Sequence, residues 1–267
     1  SGIKAVVIDE TGKVVSMGYA EQNVITPKPG FAEQSPEIWW EVCSRAVQTA
    51  VLKGNVNGSE IKAIGFSGQM QGIVMLDSDG NVLRNCIIWM DQRAANEVKD
   101  IEKTAFRTGI NTLDITANEC LPTFWAPKLL WMKKHEPEIY ERIDKILFPK
   151  DYLAFRMTGE MAAEVGDASL SFLLDVPNRK WSWDIFDMLD IPRTFVPDRL
   201  LESTEIVGEL RRDVAREWGL EAGIPVIIGS GDQIANGIGT GIIREDVMGA
   251  SIGTSAVVFG CSGKPFI

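Results

Sequence analysis

The chain has 267 residues, with 27 Lys and Arg against 37 Asp and Glu, a formal charge of −10 at pH 7 and a sequence pI near 4.8. With 45% hydrophobic and 24% charged residues it has the composition of a folded globular protein and not of a disordered chain, and at roughly 100–200 residues per domain its length allows one large domain or two modest ones. The excess of acid, with no basic run longer than a pair such as Lys133-Lys134, argues against binding nucleic acid by counterion release or docking on anionic membranes; no apolar stretch approaches the roughly 20 residues of a transmembrane helix.

Residues 3–9 are apolar enough for a strand, Glu10-Thr11-Gly12-Lys13 supplies a turn, and residues 14–20 complete a hairpin. Ser35-Pro36-Glu37 then offers a capping hydroxyl, a proline at the first helical position and an acid in the first turn. In the helix that follows, Ile38, Trp39, Val42, Ala46, Val47, Ala50 and Val51 share one side, and Gly54 stands where a left-handed stop is expected. Strands are predicted at 61–66, 72–76 and 86–89, with Asp77-Ser78-Asp79-Gly80 as a turn.

From Gln92 the pattern becomes helical, over 94–103, 124–135 and 138–143, followed by a short strand at 145–148 and a helix over 151–157. Residues 174–201, rich in Trp, Asp and Pro, read as an irregular surface excursion with a short helix, and 213–218 as a helix ending at Gly219. The clearest stretch is the apolar run 224–228, then Gly229-Ser230-Gly231-Asp232, then a small-residue helix over 233–241. A strand without polar alternation is covered on both faces, which points to α/β layers. Segments 247–252 and 256–260 flank Gly253-Thr254-Ser255 as a last hairpin.

In such sheets ligands meet the carboxyl ends of the strands, where Asp232 stands, and small residues before it permit close backbone approach. From spacing alone Asp232 is a helix cap or a catalytic carboxylate with equal weight. Gly229-Ser230-Gly231 lacks the third glycine of a dinucleotide fingerprint and no GxxxxGK[ST] is present, whereas Gly253-Thr254-Ser255 has the composition of a phosphate-wrapping turn or of an ordinary hairpin. Gly68-Gln69-Met70-Gln71-Gly72 places side-chain amides between strands; amides suit neutral polyols, although glutamines facing water would read the same. Trp89-Met90-Asp91-Gln92-Arg93 is an aromatic wall with a polar tip, or a core Trp beside a helix cap.

The single histidine, His135, lies at a polar helix end and reads as a surface residue, so histidine-based catalysis is poorly supported and carboxylate chemistry remains. Cys43, Cys86, Cys120 and Cys261 contain no CxxC pair and are expected as buried free thiols. The N-terminus lacks the features of a signal peptide, so a cytoplasmic location is expected.

Residues 65–72 (Gly-Phe-Ser-Gly-Gln-Met-Gln-Gly), 88–93 (Ile-Trp-Met-Asp-Gln-Arg), 126–131, Pro149-Lys150-Asp151-Tyr152-Leu153, Gly229-Ser230-Gly231-Asp232 and Ser251-Ile252-Gly253-Thr254-Ser255 come in the order found in the FGGY carbohydrate kinases, which the chain resembles over nearly its whole length. The resemblance implies an α/β, actin-like or ribonuclease H-like domain with a mixed sheet flanked by helices. It places the sugar-binding N-terminal domain at 1–245 and the start of the ATP-binding C-terminal domain at 246–267. The family's first domain opens with an Asp-x-Gly-Thr phosphate motif before Ser-Gly-x-Lys, and Ser1-Gly2-Ile3-Lys4 matches only its tail, so the chain resembles an N-terminal piece expected to be inactive alone.

Carried over by motif position, Asp232 matches the aspartate that accepts the substrate hydroxyl proton. Met70 and Gln71 match the pair that contacts sugar; Trp89, Asp91, Thr123 and Gln233 fall near the cleft; Gly253 and Thr254 face phosphate; no metal ligand is implied within the chain. Members acting on xylulose commonly carry Met-His, so Gln71 is a departure that leaves the sugar open. The implied reaction is ATP-dependent phosphorylation of a small sugar, a pentulose such as D-xylulose, with ATP and Mg2+ as cofactors and a homodimer compatible with the family; the alternative is a non-catalytic sugar-binding or sensing module. A helix N-terminus at Gln233 is expected to lower the pKa of Asp232, with domain closure pushing it the other way.

Overall fold

A computed structural model describes residues 2–252 and 256–264. Strands β1 (Gly2–Ile8) and β2 (Val14–Glu21) form the predicted antiparallel hairpin. Its turn is set by Asp9, whose Oδ1 accepts from the Thr11 amide (2.9 Å), the Thr11 hydroxyl (2.6 Å) and the Lys13 amide (3.1 Å). After the short strand β3 (Glu33–Gln34), helix α1 (Pro36–Gly54) starts where its capping signal predicts, with Ser35 Oγ accepting from the Ile38 amide at 3.3 Å. Its apolar side, with Trp39, Val42, Ala46 and Ala50 buried, lies across the hairpin, and Ser16 Oγ donates to the Ala50 carbonyl at 2.6 Å.

The left-handed stop of α1 is Asn55 (φ 47°), not Gly54. Asparagine tolerates that conformation, and Gly54 is required for a different reason: a Cβ there would stand 2.6 Å from Ser16 Oγ, so the glycine lets the helix settle on the hairpin.

The strand expected at 61–66 is reduced to a single bridge at Ile64, with the short β4 (Ser67–Gly68) following it, and the next two are shorter than expected: β5 (Val74–Leu76) and β6 (Cys86–Ile87). Helices α2 (Ala95–Thr108), α3 (Thr112–Thr116), α4 (Trp125–His135) and α5 (Pro137–Tyr140) follow, then β7 (Lys145–Leu147) and α6 (Pro149–Thr158), which begins at Pro149, ahead of the expected residue, because proline suits the first helical position. β8 (Ala163–Glu164) runs into the single-turn helix α7 (Val165–Ala168).

Residues 174–201 are not a surface excursion. They fold as β9 (Leu174–Asp175), β10 (Lys180–Trp181), α8 (Trp183–Leu189) and β11 (Leu200–Leu201), and Leu174, Trp181, Ile185, Phe186, Leu189 and Phe195 enter the same core as Phe124, Trp125 and Phe148. The expected short helix is α8, whose Ile185, Phe186 and Leu189 fall at helical spacing; the buried Leu174, Trp181 and Phe195 around it lie in short strands and turns too brief to show a period. β12 (Ile206–Glu209), α9 (Arg212–Trp218, closed by Gly219 at φ 69°), β13 (Pro225–Ile227), β14 (Ser230–Gly231), α10 (Asp232–Gly239), β15 (Met248–Ile252) and β16 (Ala256–Gly260) complete the order.

The strand pairing is mixed. β5 with β7, β3 with β6 and β12 with β13 are antiparallel; β14 with β4 and β11 with β8 are parallel, and a bridge between Ile64 and Val226 extends the β4–β14 direction backwards. The stacked rings of Trp125 and Phe148, 3.7 Å between centroids, join α4 to the β7–α6 corner in the largest core.

Candidate active site

Segments 64–68 and 225–231 run side by side and in the same direction, so both reach their carboxyl ends at one place. The Ile64 amide donates to the Pro225 carbonyl (3.0 Å), the Ile227 amide to the Ile64 carbonyl (2.8 Å) and the Ser230 amide to the Phe66 carbonyl (3.3 Å). Gly229 makes this possible: its φ of 69° is left-handed, and a Cβ would press into the Phe66 backbone. Beyond the paired residues Gly68 and Gly231 the chain carries Met70 on one side and Asp232 on the other.

Asp232 occupies the first position of α10, with Gly231 as the capping residue, so its side chain is not the helix cap. Its carboxyl is half-buried, and burial raises its pKa against the lowering effect of the Gln233 and Asp232 backbone amides, the opposite of the lowering expected from the helix N-terminus. The buried Ser230 hydroxyl and the Gln233 Oε1 beside it have no hydrogen-bond partner among the described residues. Buried polar atoms rarely stay unpaired, and these two belong to residues within two positions of Asp232 in the chain.

The turn at 70–72 is held from three directions. Met70 is buried against Gly231. Gln71 is left-handed (φ 65°), the Gly72 amide donates to the Met70 carbonyl at 2.8 Å, Trp125 Nε1 donates to the Gly72 carbonyl at 2.8 Å and Lys128 Nζ to the Gln71 carbonyl at 2.8 Å. Gln69 does not face water as a loose connection would; its Nε2 donates to Gln34 Oε1 at 2.8 Å.

Trp89 and Met90 are exposed, so Trp89 is not a core residue. Asp91 is not: it is fully buried and its oxygens accept from the Ala32 amide (2.6 Å), the Arg93 amide (2.9 Å) and the Arg93 guanidinium (2.8–3.0 Å). The expected sugar contact at Asp91 is therefore replaced by an internal ion pair. Arg93 also donates to Glu33 at 2.7 Å, and Glu33 is shared with Arg84, while the guanidinium lies over Phe31 (4.0 Å) and Trp131 (5.0 Å). Thr123 is half-buried in the turn leading into α4. Gly253 and Thr254 lie outside the described residues.

Beneath the site lies a cluster that sequence reasoning missed. Lys150 Nζ stands 2.6 Å from Asp151, 3.2 Å from Asp167 and 3.9 Å from Glu164, all four side chains buried. Lys150 also backs the site directly, since a Cβ at Gly68 would meet its Cβ at 2.9 Å. Burial pushes the Asp151 and Asp167 carboxyls up; burial also opposes the Lys150 charge, but the three acids hold it above the ordinary lysine range. Glu164 caps α7 through the Gly166 and Asp167 amides and accepts from the Ser203 hydroxyl at 2.7 Å. Adjacent opposite charges, Lys150-Asp151, in the first turn of α6 are the signal in the sequence that marks it.

A cavity of about 280 Å³ adjoins this cluster, lined by Glu164, Gly166, Arg179, Ser203 and Ile234; Ile234 stands two residues beyond Asp232. A larger concavity, about 470 Å³, is formed by α2 residues alone and contains no candidate site residue. Among the described residues no group of three or more His, Cys, Asp or Glu could hold a metal ion, and no helix is long and apolar enough to cross a membrane. His135 is exposed and stacks on Trp131 at 4.8 Å. Cys43 and Cys86 are buried free thiols as expected, but Cys120 is half-buried and Cys261 exposed.

Two parallel strand ends thus carry a clamped, amide-bearing turn and a half-buried aspartate within a mixed α/β framework. Residues 1–239 match the FGGY family of carbohydrate kinases, N-terminal domain. The xylulose kinase of Escherichia coli (strain K12) is 40% identical over 262 residues, 98% of this chain and 52% of the relative, and that of Bacillus subtilis (strain 168) is 38% identical over 259 residues, 97% and 51%. The crystal structure of a "xyloylose kinase" from Brucella ovis superposes with a TM-score of 0.90 at 37% identity, covering 97% of this chain and 52% of that one. The chain belongs to the FGGY family of carbohydrate kinases, and it spans about half the length of the curated relatives it matches.

Proposed function

We propose that the chain is the sugar-binding part of an ATP-dependent kinase that phosphorylates a small sugar, a pentulose such as D-xylulose, with Asp232 as general base. The observation that carries this reading is the contact of Met70 with Gly231, which sets the turn bearing Gln71 beside the residue that precedes Asp232. The match of 1–239 to the family's N-terminal domain and the identity to xylulose kinases support it. Residues 1–245 form the sugar-binding domain and 246–267 open the ATP-binding one.

Gln71 supplies a donor and an acceptor to neutral hydroxyls, and Trp89 offers an exposed ring for the carbon skeleton. Asp232 then orients one hydroxyl and takes its proton. Phosphoryl transfer through a loose transition state asks for alignment more than for a strong base, and the raised pKa of Asp232 makes it a better proton acceptor than a solvated carboxylate. ATP is the phosphoryl donor, and its metal lies outside every step assigned to these residues.

The test is calorimetric titration of the full-length gene product with D-xylulose, other ketopentoses, glycerol and gluconate, alongside a phosphorylation assay. Saturable heat and product with a ketopentose, both weakened in Gln71→Ala, are expected. Absence of heat with every ligand would overturn the assignment of Met70 and Gln71.

A further inference from the structure

The turn bearing Gln71 is pinned by a lysine that has no acid of its own. Lys128, on α4, is fully buried, and among the described residues it forms no ion pair. Its Nζ donates to three backbone carbonyls: Gln71 at 2.8 Å, Ile87 at 3.1 Å and Ile88 at 3.3 Å. An ammonium has three N–H groups, so the whole donor set is spent on holding backbone. A buried charge without a counter-charge is costly, and an apolar side chain of the same length would fill the space without that cost.

What the charge holds is a strained segment. Gln71 is left-handed although it is not glycine, and the Gly72 amide closes back onto the Met70 carbonyl to make a three-residue turn. Such conformations persist where the surroundings over-determine them, and they concentrate at functional sites. The Gln71 carbonyl is tied through one nitrogen to the end of β6, immediately before Trp89. Both predicted sugar-facing side chains, Gln71 and Trp89, thus leave the backbone from points fixed by the same ammonium.

We propose that Lys128 is a positioning residue of the sugar site, fixing the direction in which Gln71 and Trp89 are presented to a polyol. The inference rests on the reading of Met70 and Gln71 as sugar contacts. It also has a pH signature. Burial pushes the Lys128 ammonium down to about 7; the groups facing it are the Cys86 thiol on β6, itself raised to about 12 by burial and hence neutral, and the paired Asp91 and Arg93 beyond β6. Once neutral, the amine keeps two N–H groups and turns a lone pair toward one of its three carbonyls, so the clamp loosens as pH rises.

The experiment compares full-length wild type, Lys128→Met and, as a control on the same helix whose ammonium pairs with the exposed Asp190, Lys133→Met. Dissociation constants for D-xylulose are measured by calorimetry at about pH 6, 7.5 and 9, with KM and kcat alongside. Wild-type affinity should weaken several-fold across that range. Lys128→Met should bind about tenfold more weakly at the acid end, with a flat pH dependence and kcat changed less than about twofold, while Lys133→Met follows wild type. Wild-type affinity, or an unchanged pH slope, in Lys128→Met overturns the assignment of Lys128 and leaves the sugar site standing. Should that variant fail to fold, a pH-independent affinity in wild type overturns the assignment equally. A wild type that binds no polyol removes the sugar-site reading and this inference with it.

Discussion

Met70 and Gly231 meet side chain to backbone across the parallel strand ends: a Cβ at Gly231 would stand 2.5 Å from Met70 Cγ and 2.7 Å from its Sδ. Gly231→Ala must therefore displace either the turn or the residue before Asp232. We expect sugar affinity to fall at least about tenfold, with a stability loss of about 1–3 kcal/mol from overpacking. Gly239→Ala, at the far end of the helix that Gly231 caps and with nothing within 4 Å of the added carbon, should leave binding unchanged. Calorimetry and urea midpoints of the two variants check this.

Trp89 and Asp91 lie two residues apart and should separate cleanly. Trp89 is exposed, so Trp89→Ala should weaken sugar binding with little change in stability. Asp91 is buried against Arg93, and Asp91→Ala leaves that buried guanidinium with Glu33 alone, which should cost about 1–3 kcal/mol. Equal effects of the two substitutions on urea midpoints would contradict the placement.

Partial burial holds the Asp232 carboxyl above the ordinary carboxylate range, and a base works only when ionised. The kcat/KM profile of the full-length gene product should lose activity on the acid side with a midpoint above about 4, the reference value for aspartate. A midpoint at or below that value would show that burial does not control this group.

The acid cluster predicts a slope of stability with pH. Burial raises the Asp167 carboxyl from 3.8 to about 8. Between those values the unfolded chain has lost the proton that the folded state keeps, so its contribution is complete below the unfolded value and is lost as pH climbs through the folded one. Urea unfolding should show lower stability at pH 8.5 than at pH 5, and Asp167→Asn should flatten that difference. An identical slope in the variant would remove Asp167 as its source.

The hairpin 2–21, helix α1 and the strand–glycine–helix passage into Asp232 were legible because each is specified locally, by alternation, by the Ser35-Pro36 start and by the unbroken apolar run before Gly229. Within 174–201 only the short helix is legible; the burial of Leu174, Trp181 and Phe195 depends on two-residue strands and turns that carry no period. Gly54 was read as a stop although its role is close approach to Ser16, a contact between residues 38 positions apart that no local pattern reveals. For the same reason the resemblance brought out Asp232, Met70 and Gln71, whereas Lys128 and the Lys150 cluster became visible only when distant carbonyls and acids were brought around them.

The most direct measurement is phosphoryl transfer by the full-length gene product carrying Asp232→Ala, with the dissociation constant of D-xylulose taken on the same preparation. Turnover should drop by about 10²–10⁴ while sugar affinity stays within about threefold. Turnover within tenfold of wild type, with sugar still bound, would show that the carboxylate beside Met70 does not take the proton.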